Sequence, residues 1–215
     1  VTLFAGTLAN GLMAGLFAGF AYSVMPGLGR SSDRTMIEAM QNINKAIVNG
    51  WFMMLFMGSI PLLILAALLA WRGHGRPVLP WIIAALALYL VAFLITSGVN
   101  VPLNDQLAKA GEPHHIHDLA AVRSDFEGKW VAWNIVRAIL HTAAFGCLAW
   151  ALFAYGSHHA AQGSTTPANQ AAQRAVQQAA SQAAHQAAKP AAQAGMPQAG
   201  HPAYPGTQAP SPFDR

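Results

Sequence analysis

Three long stretches of the chain, residues 1–29, 46–71 and 77–104, contain no charged residue. A fourth, 131–155, contains only Arg137, with His141 titratable one turn further on. A helix crossing the hydrocarbon layer needs about 20 apolar residues, and all four stretches are long enough. Backbone polar groups in lipid must be satisfied within the spanning element, which favours helices. The expected fold is therefore all-α, a four-helix transmembrane bundle with spans near 3–25, 47–71, 79–101 and 131–155. The first stretch lacks a basic n-region, and its apolar run is too long for a secretory signal, so it reads as a span. Composition agrees, with 54% hydrophobic and 9% charged residues, against about 25% charged in soluble domains.

The chain changes character after the fourth span. Residues 1–156 form the membrane domain and 157–215 a low-complexity tail. Residues 168–194 are almost entirely Ala and Gln, and Pro and Gly follow. Alanine permits transient helix, but there is no large apolar face to dock one. The Ala/Gln/Pro-rich C-terminal tail is thus predicted to be disordered. The net charge of +4 does not point to nucleic acid, because three of the twelve basic residues lie in the tail and no basic run exists. The single Cys147 cannot form an intrachain disulfide and reads as a small buried hydrophobe.

In loop 30–45, Thr35-Met-Ile-Glu38 matches a capping box. A helix is expected to start there and run unbroken into the second span. Loop 72–77 is short, and loop 102–129 is long and carries five of the eight carboxylates. Arg30, Arg34, Lys45, Lys109, Arg123 and Lys129 flank the spans on one side, against Arg72 and Arg76 on the other. Positive-inside logic places loops 30–45 and 102–129 in the cytoplasm and both termini outside the cell membrane.

Polar residues cluster at one end of each span. At about 100° per residue, Trp130, Asn134, Arg137 and His141 fall within roughly 60° on one helix face. Arg137 lies about 10 Å inside its span, and no span carries a carboxylate to neutralise it. An ionisable group at that depth faces the bundle interior and marks a functional site by default. Tyr22, Asn49, Asn100, Asn104, Trp130 and Trp133 lie at the same side of the bundle. The expectation is a shared substrate pocket opening toward loops 30–45 and 102–129, with Arg137, Asn134 and His141 as catalytic candidates. The competing explanations are interhelical hydrogen bonding for the amides and snorkelling for Arg137. Gly11, Gly15 and Gly19 give the first span a smooth face, suited to packing within the chain or in a homo-oligomer. His114, His115 and His117 could hold copper or zinc, although a solvated loop is the plainer explanation. Met36, Met40, Met53, Met54 and Met57 have the spacing of apolar lining. No cofactor is predicted, and copper is the alternative. The expected partners are membrane lipid and a hydrophobic small molecule.

Several stretches together carry a family resemblance. They are Gly15-Leu-Phe-Ala-Gly-Phe-Ala-Tyr22 with Met25-Pro26, and Ala39-Met-Gln-Asn42-Ile-Asn44 with Asn49. Thr96 through Asn100-Val-Pro102-Leu-Asn104 and Trp130-Val-Ala-Trp133-Asn134-Ile-Val-Arg137 complete the set. Over residues 1–155 the chain resembles the anthrone oxygenase-like family of small four-span membrane proteins. Fungal members of that family oxidise anthrones to anthraquinones. The resemblance implies an O2-dependent oxidation of a hydrophobic aromatic or quinol-type substrate. In that scheme His141 accepts a proton, and Arg137, Asn134 and Asn100 hold the resulting enolate or phenolate. The alternatives are a non-catalytic membrane subunit or lipid-binding module, and a copper-dependent membrane enzyme.

Overall fold

The computed structural model describes residues 1–73, 75–164 and 167–193. Among these residues the chain is helical, without strands. The elements are α1 (Thr2–Gly19), a π turn (Phe20–Val24), α2 (Met25–Leu28), α3 (Asp33–Ile47) and α4 (Gly50–Arg72). They continue with a 3-10 turn (Arg76–Val78), α5 (Leu79–Ile95), a second π turn (Thr96–Asn100), α6 (Val101–Lys109), α7 (Leu119–Ser164) and α8 (Pro167–Gln193). Four continuous helical stretches among the described residues are long and apolar enough to cross a membrane: Thr2–Leu28, Gly50–Arg72, Arg76–Lys109 and Leu119–Ser157. The chain is accordingly a membrane-embedded four-helix bundle. Large apolar side chains such as Ile64, Leu65, Leu69, Ile83 and Ile139 are exposed on its outside, as lipid-facing positions require.

The first and third spans share a local device. Each contains a π turn ending one residue before an X-Pro step, at Met25-Pro26 and at Val101-Pro102. Proline lacks an N–H, and its ring crowds the carbonyl four residues back. The wide turn comes just before each proline, with Met25 N–H reaching Phe20 O and Val101 N–H reaching Thr96 O. Both helices therefore continue past the spans expected from hydropathy.

Two sequence expectations about loop 30–45 are corrected. The helix starts earlier, with Ser32 as N-cap accepting from Thr35 N–H, so Thr35 is inside the helix. Nor does α3 run unbroken into α4. Val48 leaves helical geometry, and Asn49 caps α4 by accepting from Phe52 N–H at 3.1 Å. The asparagine side chain competes with the helical backbone and wins at this position.

Three apolar clusters are found along the bundle. Ala66, Ala70, Val78, Ile82 and Ala151 fill one end. Met13, Phe17, Leu63, Tyr89 and Leu148 belong to the second. Met36, Ile37, Met40, Leu103, Leu107 and Phe126 close the other end, where α3 packs on α6. Met36 and Met40 are thus core residues. Two polar ties fasten the same end. Gln41 Nε2 donates to Leu107 O and Gly111 O, at 2.8 and 3.0 Å. Arg123 donates to Gly29 O, Ser31 O, Asp33 and Glu127.

The glycine face of α1 divides. A Cβ at Gly11 would meet the Phe145 ring at 3.0 Å, and one at Gly6 would meet Leu63 at 3.3 Å. At Gly15 and Gly19 it would meet nothing within 4 Å. Close helix approach within the chain therefore rests on Gly6 and Gly11.

The chain divides into two units, Val1–Ala161 and Gln162–Arg215. In the second, Pro167–Gln193 is helical. This is the helix that alanine permits, and all its side chains at 167–187 are exposed. The part of the expected disordered tail at 194–215 lies outside the described residues. Removing the chain after Ala161 should leave the melting temperature of the bundle unchanged, because all three apolar clusters lie before that point. Thermal unfolding of the truncated protein in detergent checks this, and a drop of several degrees would contradict it.

Candidate functional site: a buried arginine under an apolar chamber

Asn134, Arg137 and His141 stand at i, i+3 and i+7 on α7, so their side chains share one face. All three are buried, Arg137 at 4% exposure. Arg137 Nη2 donates to Asn134 Oδ1 at 3.0 Å, and Nη1 donates to Thr96 Oγ1 at 3.3 Å. Its guanidinium lies 4.4 Å from the Phe17 ring centroid and 5.6 Å from that of Trp130. No carboxylate pairs with it; the ion pairs among the described residues belong to Arg123. Arg137 Nε has no hydrogen-bond partner. A buried charge is costly unless it is paired and hydrogen-bonded. Here two neutral oxygens and two aromatic faces do that work only in part.

The neighbours of Arg137 are themselves held in place. Asn134 Nδ2 donates to Phe17 O at 3.1 Å, so both ends of its amide are engaged. Thr96, in the second π turn, donates to Ala92 O at 2.8 Å while accepting from Arg137. Asn100, in the same turn, donates to Trp130 O at 3.3 Å, but its Oδ1 is unpartnered. Trp130 Nε1 donates to Asn104 Oδ1 at 2.8 Å.

Arg137, Asn134, Asn100, Asn104 and Trp130 all line a chamber of about 200 Å³. Apart from Asn44, Thr96 and Ser97, its other walls are apolar and include Phe17, Phe20, Phe52 and Phe56. An apolar cavity of about 150 Å³ accommodates benzene in an engineered protein core. The chamber is therefore large enough to take a flat ring. Asn44 also lines it, with its Nδ2 buried and unpartnered.

The structure does not bring every expected site residue to this chamber. Tyr22 is 76% exposed, because it lies within the first π turn, where the register shifts. Trp133 is 41% exposed, lying roughly 70° off the shared face of α7. Asn49 is exposed and occupied as the cap of α4. His141 is fully buried but does not line the chamber. Its ring stacks on Phe17 with centroids 4.8 Å apart and meets Tyr89 edge-on at 4.8 Å. Both of its ring nitrogens lack a hydrogen-bond partner. His114, His115 and His117 are exposed, and His114 Nδ1 accepts from Arg34 at 3.0 Å. Among the described residues, no group of three or more His, Cys, Asp or Glu side chains is placed to hold a metal ion.

Two contributors escaped the sequence reading. Phe17 supplies a ring and a carbonyl to the arginine site, yet one phenylalanine in an apolar helix carries no signal. The π turns were marked only by Pro26 and Pro102, each following a short polar stretch. Such turns are frequent at functional sites.

The fold and this chamber define a class: a four-span helical membrane protein with a buried, carboxylate-free arginine facing an apolar cavity. A family model described as anthrone oxygenase matches residues 51–147, so over that stretch the chain is similar to that family. The matched stretch includes Thr96, Asn100, Asn104, Trp130, Asn134, Arg137 and His141, and stops short of α1 and α3. Comparisons with curated proteins and with solved structures find no match.

Proposed function

We propose that the protein oxidises a hydrophobic aromatic or quinol-type substrate with O2 in the chamber beside Arg137. One observation carries this reading: a buried cation without a carboxylate faces an apolar, aromatic-lined cavity. Such a site favours a ligand that becomes an oxyanion, because the guanidinium is fixed in place before charge develops. The substrate is an aryl ketone with a CH2 conjugated to the carbonyl through the aromatic rings. Loss of a proton from that carbon gives an enolate, which Arg137 holds. Asn134 positions Arg137, and Asn100 Oδ1 accepts from a substrate hydroxyl. The carbanion reacts with O2, takes back a proton as the hydroperoxide, and loses water. One CH2 and one O2 thus become one C=O and one H2O, without a protein cofactor.

His141 is the proton acceptor in this scheme. Its unpartnered imidazole lies directly behind Phe17, and the transfer needs that ring to swing aside. The test compares His141→Phe with the unchanged protein in an anthrone oxidation assay that follows O2 uptake. A phenylalanine fills the space between Phe17 and Tyr89, so the variant should keep its melting temperature. It should lose about 100-fold in turnover, the usual scale for a general base. Wild-type turnover in this variant would remove His141 from the reaction. Failure of the unchanged protein to consume O2 with any acidic aryl substrate would favour a non-catalytic lipid-binding role.

From the charge asymmetry we further propose that the protein lies in the cell membrane with loops 30–45 and 102–129 in the cytoplasm and both termini outside. Single cysteines at Glu38 and Gly73, in a Cys147→Ser background, test that orientation in intact cells. A membrane-impermeant maleimide should label position 73 and spare position 38. The reverse pattern would invert the orientation.

A further inference from the structure

We propose that the chamber is filled sideways from the hydrocarbon layer, through a slot between α4 and the second π turn. Its ligand is then a membrane-dissolved hydrophobic molecule with at least one polar group. This inference rests on the reading of the chamber as the ligand site and adds the route and the phase from which the ligand comes.

The chamber has a buried floor and an exposed rim. Phe17, Phe56, Asn134 and Arg137 form the floor and are buried. The exposed wall residues are Val48, Met53, Met57, Ser97 and Val101. They fall into two groups. Met53 and Met57 stand one turn apart on α4, with Val48 just before it. Ser97 and Val101 stand one turn apart across the second π turn. Met57 lies about 10 Å beyond the start of α4, well inside the span. Such a rim, apolar except for Ser97 and free of charge, suits lipid better than water.

The end facing loops 30–45 and 102–129 is partly covered by an apolar cluster. Met36, Ile37, Met40, Leu103 and Leu107 are buried there in one cluster, and Gln41 ties α3 to Leu107 and Gly111. Methionine is unbranched and adaptable, which suits a pair at the edge of a slot. Inside, Asn100 Oδ1 and Arg137 Nε lack partners although their residues are 1% and 4% exposed. A molecule crossing the rim gains hydrogen bonds only if it carries a polar group.

The experiment uses the full chain in phosphatidylcholine vesicles containing an aryl diazirine that bears one phenolic hydroxyl. After illumination, adducts are mapped by mass spectrometry. Phe17 and Phe56 report on the chamber, and exposed Ile64 and Leu65 report on the lipid surface. Ser97→Trp and Met57→Trp narrow the slot from opposite sides. Each should lower chamber labelling about tenfold relative to Ile64 and Leu65, because an indole occupies the space between the helices. Met57→Ala should raise it. The lipid-surface adducts and the melting temperature show that the variants fold. Chamber labelling that persists undiminished in both tryptophan variants would overturn the sideways route while leaving the chamber as the ligand site. An unlabelled chamber in the unchanged protein, with Ile64 and Leu65 labelled, would overturn both.

Discussion

Arg137→Met folds to wild-type level and loses most of its turnover: this is the result the site leads us to expect. Methionine roughly matches the length of the arginine stem and removes a charge that no carboxylate compensates. Replacing buried charge by a well-packed apolar side chain is often neutral or stabilising. Against this stands the loss of the donors to Asn134 Oδ1 and Thr96 Oγ1, each net bond being worth about 0.5–1.5 kcal/mol. The two effects oppose each other, so stability should stay within about 1–2 kcal/mol of wild type. Turnover has no such compensation. Removing one preorganised oxyanion donor costs about 10²–10³ in kcat, and Arg137 is the central donor of the chamber. Thermal unfolding and O2 uptake on the same preparation check both halves. Loss of folded protein in proportion to lost turnover would make Arg137 a structural residue. Unchanged turnover would end its role as anion holder.

Gly11→Leu and Gly15→Leu should behave as opposites, although both lie on one stripe of α1. At Gly11 the first added carbon already meets Phe145 Cε2 at 3.0 Å, and leucine adds three more. Overpacking of this kind costs about 1–3 kcal/mol. The Gly11 variant should therefore melt several degrees lower or accumulate poorly. At Gly15 an added Cβ meets nothing within 4 Å, and leucine there should be neutral for the bundle. Melting temperature and yield in detergent distinguish the two. Equal damage at both positions would mean that the open face of Gly15 and Gly19 meets a second copy of the chain. An unperturbed Gly11 variant would show that the Phe145 ring yields.

Much of the architecture was legible in the sequence because lipid imposes a simple condition. A stretch of some 25 residues with at most one charge has few other destinations, and the four spans follow from 1–29, 46–71, 77–104 and 131–155. The stripe of Asn134, Arg137 and His141 was legible for a similar reason, since helical periodicity places i, i+3 and i+7 together. What hydropathy and periodicity could not supply was direction. Whether Tyr22 faces in or out depends on a π turn that no composition signals, and Asn49 was spent on a cap rather than a ligand. Nor could they show that His141 sits behind Phe17, because a ring belonging to another helix decides it.

The π turns also have a consequence for how this chain tolerates change in length. Each inserts extra rotation between the two ends of its span, so the lipid-buried half and the loop-side half are phased independently. Deleting one residue within Phe20–Val24 would restore an ordinary α turn and rotate everything after it. Gly29 and Ser31, whose carbonyls Arg123 holds, would then leave that guanidinium, while Phe17 on the near side of the turn would stay in place. Length variation in this bundle should accordingly be absorbed in loops such as 111–118, and the residue count between Phe17 and Ser32 should be held fixed.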